Sequence, residues 1–537
     1  MDSLHKNTPP LWLILLMVLL AIPALFINLG MPAIAADEPT RALVAMEMMF
    51  RQDYLVSTIV GEFYYKKPPL FNWILVVIYQ LTGSNGELVT RLVAVVPLLL
   101  FTWRIFVVAK KYLSHAVALL AAFIHLTYGR MLFYDSLLGH IDILYAWITF
   151  ETFVLLFDDM NLQKPWRTFI LFYVLHGIAF MLKGLPSLLF PPLTLLAWIW
   201  YQRQFKPLIS IAHVIAILAG LVFPVGFFIA YAQVNSLEGW MMQLWDQSKQ
   251  RTVLDKTLWE SVQHLFTFPI DHLMHFAPWS VLLVFLLNKN NAKLVWQHTF
   301  MRFMLMVLVC NIPVYWASPG YYPRYIFMLY PILFMVIAQA YMVSSNIRWF
   351  QVFVLILCGL LLLAIPVVVI QMDWKLLYWG TEVSIVILLA AFFLCFVNPR
   401  YAVWSMVLVM WASRIFFNAY VIPHRTATGS TEQNKQEAIK VAQLTVGKPL
   451  YIAYPGSSSE QYHYYYIERA RNEPLHYKAL DTTSYFLYLP NTIADVAFET
   501  VYAFDMDYEN MQVLLVRFTK IPPLIEEMSP QRFYLNR

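Results

Sequence analysis

Two segments of the chain carry residues suited to chemistry: DEPTRALVAMEM, 37 to 48, and YYKKPPLFNW, 64 to 73. Asp37 and Glu38 are adjacent carboxylates placed just after an apolar run, and Lys66 and Lys67 follow in the same loop. A carboxylate can take a proton from an incoming hydroxyl, and ammonium groups can hold an anion. A phosphate leaving group needs no general acid once cations neutralise its developing charge, so a base and a cationic clamp suffice. Asp37 or Glu38 is the candidate base.

The elements that must position these residues are set by composition. Of 537 residues, 60% are hydrophobic and only 13% charged, against about 25% charged in an ordinary soluble domain. The chain therefore reads as an all-α polytopic membrane protein, and nothing in it suggests a nucleic-acid partner. Apolar runs of about 20 residues, the length that crosses a hydrocarbon core, number about thirteen. They lie near 11–30, 86–109, 115–131, 137–157, 168–183, 185–201, 207–232, 272–287, 300–317, 325–343, 349–371, 380–396 and 400–421. Between the first two, the 31–85 loop holds a short amphipathic helix around Val44 and Met48 and a second apolar stretch, Leu70 to Leu81, both expected along the membrane surface. Cys310, Cys358 and Cys395 fall inside apolar runs and give no disulfide framework.

Basic residues in the short loops put Lys110, Lys111, Lys164, Arg167, Arg203, Lys206, Lys289 and Lys293 on the side of Lys6, which the positive-inside rule makes the cytoplasm. The cations left on the other face are the informative ones, because topology does not call for them there. Among them Lys67, Lys183, Arg251 and Arg324 are candidates for a phosphate clamp, with Arg best shaped for a two-point grip. Lys66 and Arg41 join them, as do Tyr65 and Tyr325, which flank candidate cations, although tyrosines also populate the aromatic belt. Asp135 stands just after Arg130, either as an internal ion pair or as a site residue. Asp142 and His140 read as polar residues lining the bundle. His272 and His275 lack the matched carboxylates of a metal site, and no metal is assigned.

Two domains are expected: a transmembrane catalytic part, 1–422, that includes the outer loop 31–85, and a small α/β soluble part, 423–537. In the latter a helix is predicted near Thr431 to Leu444, with strands near Leu450 to Ala453, Tyr485 to Leu489, Val501 to Phe504 and Val513 to Phe518.

The order of motifs resembles a known family. Asp37-Glu38, Glu47-Met48, Gly61-Glu62, Lys67-Pro68-Pro69-Leu70 with Trp73, and Arg91-Leu92 resemble the first outer loop of GT-C glycosyltransferases, above all lipid A aminoarabinose transferases and bacterial protein O-mannosyltransferase-like enzymes. The likeness continues at GRMLFYDSLL (129–138), LKGLP (182–186), HFAPWS (275–280) and YYPRYIFMLYP (321–331). It departs at Thr40 and Arg41, where those transferases usually have Arg and Tyr, and at Lys66, where a Glu often stands.

The resemblance implies a GT-C fold in the bacterial inner membrane, with its active site and C-terminal domain on the extracytoplasmic side. It implies an inverting transfer of a sugar from a polyprenyl-phosphate donor to a lipid A, glycolipid, glycan or protein acceptor, with Asp135 at the active site. No organic cofactor is expected, while a divalent cation at Asp37 or Glu38 stays open, since some relatives use one. A transporter or flippase of a lipid-linked sugar is the alternative; it would be expected to show repeated halves, which this sequence lacks.

Overall fold

The computed structural model describes residues 8–250, 258–318, 322–372, 379–454, 461–490, 495–506 and 511–521. The chain forms two compact units. One contains residues 1–29, 66–68 and 91–422, and the other 30–65, 69–90 and 423–537.

The first unit is helical. Among the described residues eight helices are long and apolar enough to cross a membrane, or ten if two bent pairs each count as one span. The apolar runs and the helices do not map one to one, because prolines cut them. The run at 185–201 becomes a 3-10 turn, Leu185–Leu188, and a helix, Phe190–Gln202, around Pro186, Pro191 and Pro192. The run at 272–287 is the end of a helix that stops at His275 and a 3-10 segment, Trp279–Leu287, bent by 116° from it. Helix Pro165–Lys183 packs on Ile211–Ala232, where Gly177 and Gly220 face each other. A methyl group on Gly177 would run into the Gly220 carbonyl, so small residues set this close approach. Arg414, fully buried, donates from Nε to the carbonyl of Ala24 at 2.9 Å, and Asn418 Nδ2 donates to the same oxygen at 2.8 Å. Both thereby cap the C-terminal end of helix Leu11–Phe26, whose last carbonyls have no partner in the helix itself.

The second unit joins the outer loop to the C-terminal segment. A five-stranded sheet has the order β4-β3-β5-β7-β6, made of β3 (Leu450–Tyr454), β4 (Tyr477–Ala479), β5 (Tyr485–Tyr488), β6 (Ala497–Met506) and β7 (Met511–Lys520). The first three strands run parallel, with Leu450 opposite Tyr485, and β7 runs antiparallel to β5 and β6, with Leu487 opposite Leu515. Period-two alternation sends Phe486, Tyr488, Val516 and Phe518 into one core. The strands predicted from sequence are present, and helix Gln461–Arg471 and β4 are additional.

The outer loop supplies helices Glu38–Arg51 and Leu70–Thr82 and a two-stranded ribbon, β1 (Thr58–Ile59) with β2 (Glu62–Phe63). Helix Glu38–Arg51 does not lie on a surface with one wet face: from Glu38 to Met48 all but Thr40 is buried, and helix Gln461–Arg471 packs against it. Glu87 is held by Lys435 at 2.9 Å and Arg469 at 2.8 Å, and the Tyr466 hydroxyl accepts from the Ile34 amide. These ties explain why the loop forms one body with a segment nearly 400 positions away.

Candidate active site

In the transmembrane unit a cationic cluster is built from four separate segments. Helix Pro165–Lys183 ends in Lys183, 3% exposed, whose Nζ lies 2.5 Å from Asp142 Oδ1 at the start of helix Asp142–Asp158. Arg324, 8% exposed on the 3-10 segment Pro323–Leu329, brings Nε to 3.5 Å from Asp142 Oδ2. Lys67 donates from Nζ to the Lys183 carbonyl at 3.3 Å. Two of the candidate cations, from positions 183 and 324, thus meet at one carboxylate, and Lys67 joins them through the Lys183 carbonyl. Aromatic faces surround them: the Tyr325 ring lies 4.5 Å and the Tyr145 ring 4.7 Å from Lys183 Nζ, and Tyr322 4.9 Å from the Arg324 guanidinium. Charge gathered in such apolar and aromatic surroundings acts more strongly on an anion than it would in water.

In the sequence alone Asp142 reads as a bundle-lining residue. Its position at the first turn of a helix next to a buried lysine is the signal that could have ranked it higher.

Asp135 is buried and paired with Arg130, Nε to Oδ2 2.9 Å, and His140 Nδ1 lies 3.9 Å from its other oxygen. Arg130 also reaches His275 Nε2 at 3.3 Å, and the Gly129 amide donates to the Ala277 carbonyl at 2.8 Å. The GRMLFYDS and HFAPWS segments are therefore docked on one another, with Asp135 inside the joint.

An apolar cavity of about 840 Å³ lies between helices Pro165–Lys183, Phe190–Gln202 and Ile211–Ala232. Tyr173, His176, Gly177 and Phe180 line it at helical spacing, and Lys183 follows one turn later on the same helix. A hydrocarbon chain fits such a wall.

The second unit carries the carboxylate pair. Asp37 is exposed at the N-terminus of helix Glu38–Arg51, and Glu38 is buried, its Oε2 accepting from the Ala35 amide at 3.0 Å. Arg41 is buried and donates from Nη2 to the Tyr64 hydroxyl at 2.7 Å. Burial raises the Tyr64 phenol above its usual value and Arg41 pulls it back. Tyr65 is half-buried, its ring 6.1 Å from Phe63. Lys66 is exposed. Arg251 lies outside the described residues.

In the sequence alone Glu47 is legible only as part of the Glu47-Met48 motif. It is fully buried, and desolvation pushes its carboxyl up to about 7 against hydrogen bonds from Thr58, Gly61 and Val60 that lower it. Among the described residues no group of three or more His, Cys, Asp or Glu side chains is arranged to hold a metal ion.

Residues 66–228 match the family model described as dolichyl-phosphate-mannose-protein mannosyltransferase. The undecaprenyl phosphate-alpha-4-amino-4-deoxy-L-arabinose arabinosyl transferase of Edwardsiella ictaluri is 26% identical over 256 residues, 47% of this chain and 43% of that protein. The match thus spans less than half the length of that relative. Among solved structures, ArnT from Cupriavidus metallidurans, both bound to undecaprenyl phosphate and in the apo state, superposes with a TM-score of 0.69 at 17% identity over 94% of this chain and 97% of its own. At that identity the likeness is one of fold: the chain is a polytopic membrane protein with a GT-C fold similar to that of the aminoarabinose transferases.

Proposed function

We propose that the chain is a glycosyltransferase that takes a sugar from a polyprenyl-phosphate donor on the extracytoplasmic face of the bacterial inner membrane. The observation that carries this reading is the meeting of Lys183 and Arg324 at Asp142, with Lys67 on the Lys183 carbonyl, one helical turn beyond Phe180, which lines an apolar cavity. A lipid phosphate is the ligand class that asks for both, cations for its head and an apolar wall for its chain. The relatives named for undecaprenyl phosphate and dolichyl phosphate support the same donor class.

In this reading the acceptor hydroxyl or phosphate oxygen attacks the anomeric carbon as the bond to the donor phosphate breaks. The electron pair leaves on the phosphate, where Lys67, Lys183 and Arg324 stabilise the charge. An acceptor hydroxyl gives its proton to a carboxylate. Asp37 suits that role better than Glu38, since Asp37 is exposed while Glu38 is buried and already accepts from Ala35. A direct displacement of this kind inverts the anomeric centre and leaves free polyprenyl phosphate. Transfer of either a hexose or a pentose is compatible with this chemistry, and the acceptor is lipid A, another glycolipid, a glycan or a protein.

The test is product release. Purified protein in lipid nanodiscs, supplied with polyprenyl-phosphate sugars and envelope acceptors, should liberate polyprenyl phosphate, and Asp37→Asn should insert normally yet release none. Movement of intact lipid-linked sugar across proteoliposomes without any release would favour the flippase alternative and overturn this reading.

A further inference from the structure

The ribbon that precedes the lysine pair is strained. Thr58 pairs with Phe63 and Ile59 with Glu62, which leaves Val60 and Gly61 as a two-residue turn, with φ of 55° and 75°. Both central residues of such a turn must be left-handed, a demand usually met by Asn-Gly, and here its first position is a β-branched valine. Gly61 is irreplaceable for a second reason: a methyl group there would collide with the His476 ring. Strands of two residues each have little stability of their own.

What holds the turn is Glu47. One oxygen accepts from the Val60 amide, and the other from the Gly61 amide at 3.2 Å and the Thr58 hydroxyl at 2.6 Å. Arg51 donates to the same hydroxyl at 2.8 Å, which aims the Thr58 proton at Glu47. Helix Gln461–Arg471, which packs on the helix that carries Glu47, holds Glu468 fully buried, with Oε1 accepting from the Leu475 amide at 3.0 Å. Its Oε2 has no hydrogen-bond partner among the described residues. Other ionisable groups around the ribbon include Arg51 with its ion-pair partner Asp53, Glu62, Tyr64, His476 and Tyr477, while helix Leu70–Thr82 contributes no charged side chain. Burial raises both carboxyls, and the charge of Glu47 raises Glu468 further. Beyond the turn the ladder continues, the Tyr64 amide donating to the Ser57 carbonyl at 2.8 Å, and Tyr65, Lys66 and Lys67 follow at once.

We propose that Glu47 is a positioning residue: its carboxyl latches the strained Val60–Gly61 turn, so that the exit strand holds Tyr64 and Tyr65 in one fixed register, directly ahead of Lys66 and Lys67 in the chain. This rests on reading Lys67 as a donor-phosphate cation. Holding a non-glycine residue in a sparsely populated region costs enough to shift a local equilibrium about tenfold or more, so a ribbon without its latch should open.

The experiment uses the full chain in nanodiscs, with undecaprenyl phosphate as the probe, and reads its affinity together with hydrogen exchange of amides 58–64. Glu47→Ala should weaken binding about tenfold and speed exchange in the ribbon, by the strain argument. Adding Val60→Gly to that variant should restore most of the affinity, since glycine takes the turn without strain. A merely structural role would give no such rescue. Glu47→Gln, which keeps an acceptor oxygen, should fall between and serves if the alanine variant does not fold. Failure of Val60→Gly to rescue, or ribbon exchange unchanged in both Glu47 variants, overturns the latch. Lys67→Ala is the separate control: wild-type binding by it would refute the donor-site reading, and with it the purpose assigned to the latch, whereas loss of binding by Lys67→Ala alone refutes the latch only.

Discussion

Asp142 and Lys183 form a buried ion pair with 2.5 Å between Oδ1 and Nζ, and the same carboxylate offers its other oxygen to Arg324. The pair joins the start of helix Asp142–Asp158 to the end of helix Pro165–Lys183. Whether it serves stability or chemistry can be separated, because the two make opposite demands on the cation.

Asp142→Asn should lower the melting temperature and the turnover together, since breaking one side of a buried pair costs about 3 to 5 kcal/mol. Replacing both partners, Asp142→Leu with Lys183→Met, should return much of the stability, because apolar groups of similar volume pack without charge. It should not return turnover. Thermal unfolding in detergent and polyprenyl phosphate release, measured on the same preparations, check this.

Lys67→Ala and Arg324→Ala should each reduce turnover by about 30- to 1000-fold, the effect of removing one contact worth roughly 2 to 4 kcal/mol to a developing charge in a dry site. The double variant should lose less than the product of the two, as residues sharing one ligand do. A product-like loss in the double-mutant cycle would assign them to separate ligands.

The pH dependence of stability should carry the mark of Glu47. Its folded-state value is raised from 4.5 to about 7, mainly by desolvation, so the folded form binds the proton more tightly than the unfolded chain. That contribution is fully present below about pH 4.5 and is lost as pH rises through 7. Melting of the wild type should fall between pH 5 and 8, and Glu47→Gln should flatten that slope. A parallel slope in the variant would assign the titration elsewhere.

The short basic loops predict a sidedness that can be measured. A tag after Leu162 or Gln204 should be shielded in intact spheroplasts, while one after Arg537 should be labelled, because the positive-inside pattern puts the first two in the cytoplasm. Labelling of the tag at 162 from outside would invert the topology.

Much of this architecture is legible in the sequence, for reasons that differ by element. Long apolar runs such as 349–371 need no partner to be recognised, and alternation in β5 and β7 marks Phe486, Tyr488, Val516 and Phe518 as one face. Lys67, Lys183 and Arg324 stand out as cations on the face that topology does not favour. What stays hidden depends on contacts between distant positions. Asp142 gains its meaning from residues 41 and 182 positions away, and no local pattern links them. Glu47 is visible as a motif residue, but the left-handed Val60 it steadies is not, because valine is among the last residues one would expect at that conformation. The burial of helix Glu38–Arg51 was equally invisible, since the helix that covers it begins at Gln461.

The tie between Ile34, Glu87 and the helix that carries Tyr466 and Arg469 has a consequence for biogenesis. The body bearing Asp37 and the ribbon cannot close until residues 430–471 have been synthesised, and loops this long are slow to pair. During that interval Glu87 waits without its cations, and the apolar side chains of helix Glu38–Arg51 stand uncovered. A nascent chain halted at 422 would thus be an inserted bundle with an unfinished outer body. Such an intermediate would present uncovered apolar surface to membrane quality-control proteases, so closure of this body is timed by residues 430–471 rather than by the first crossing.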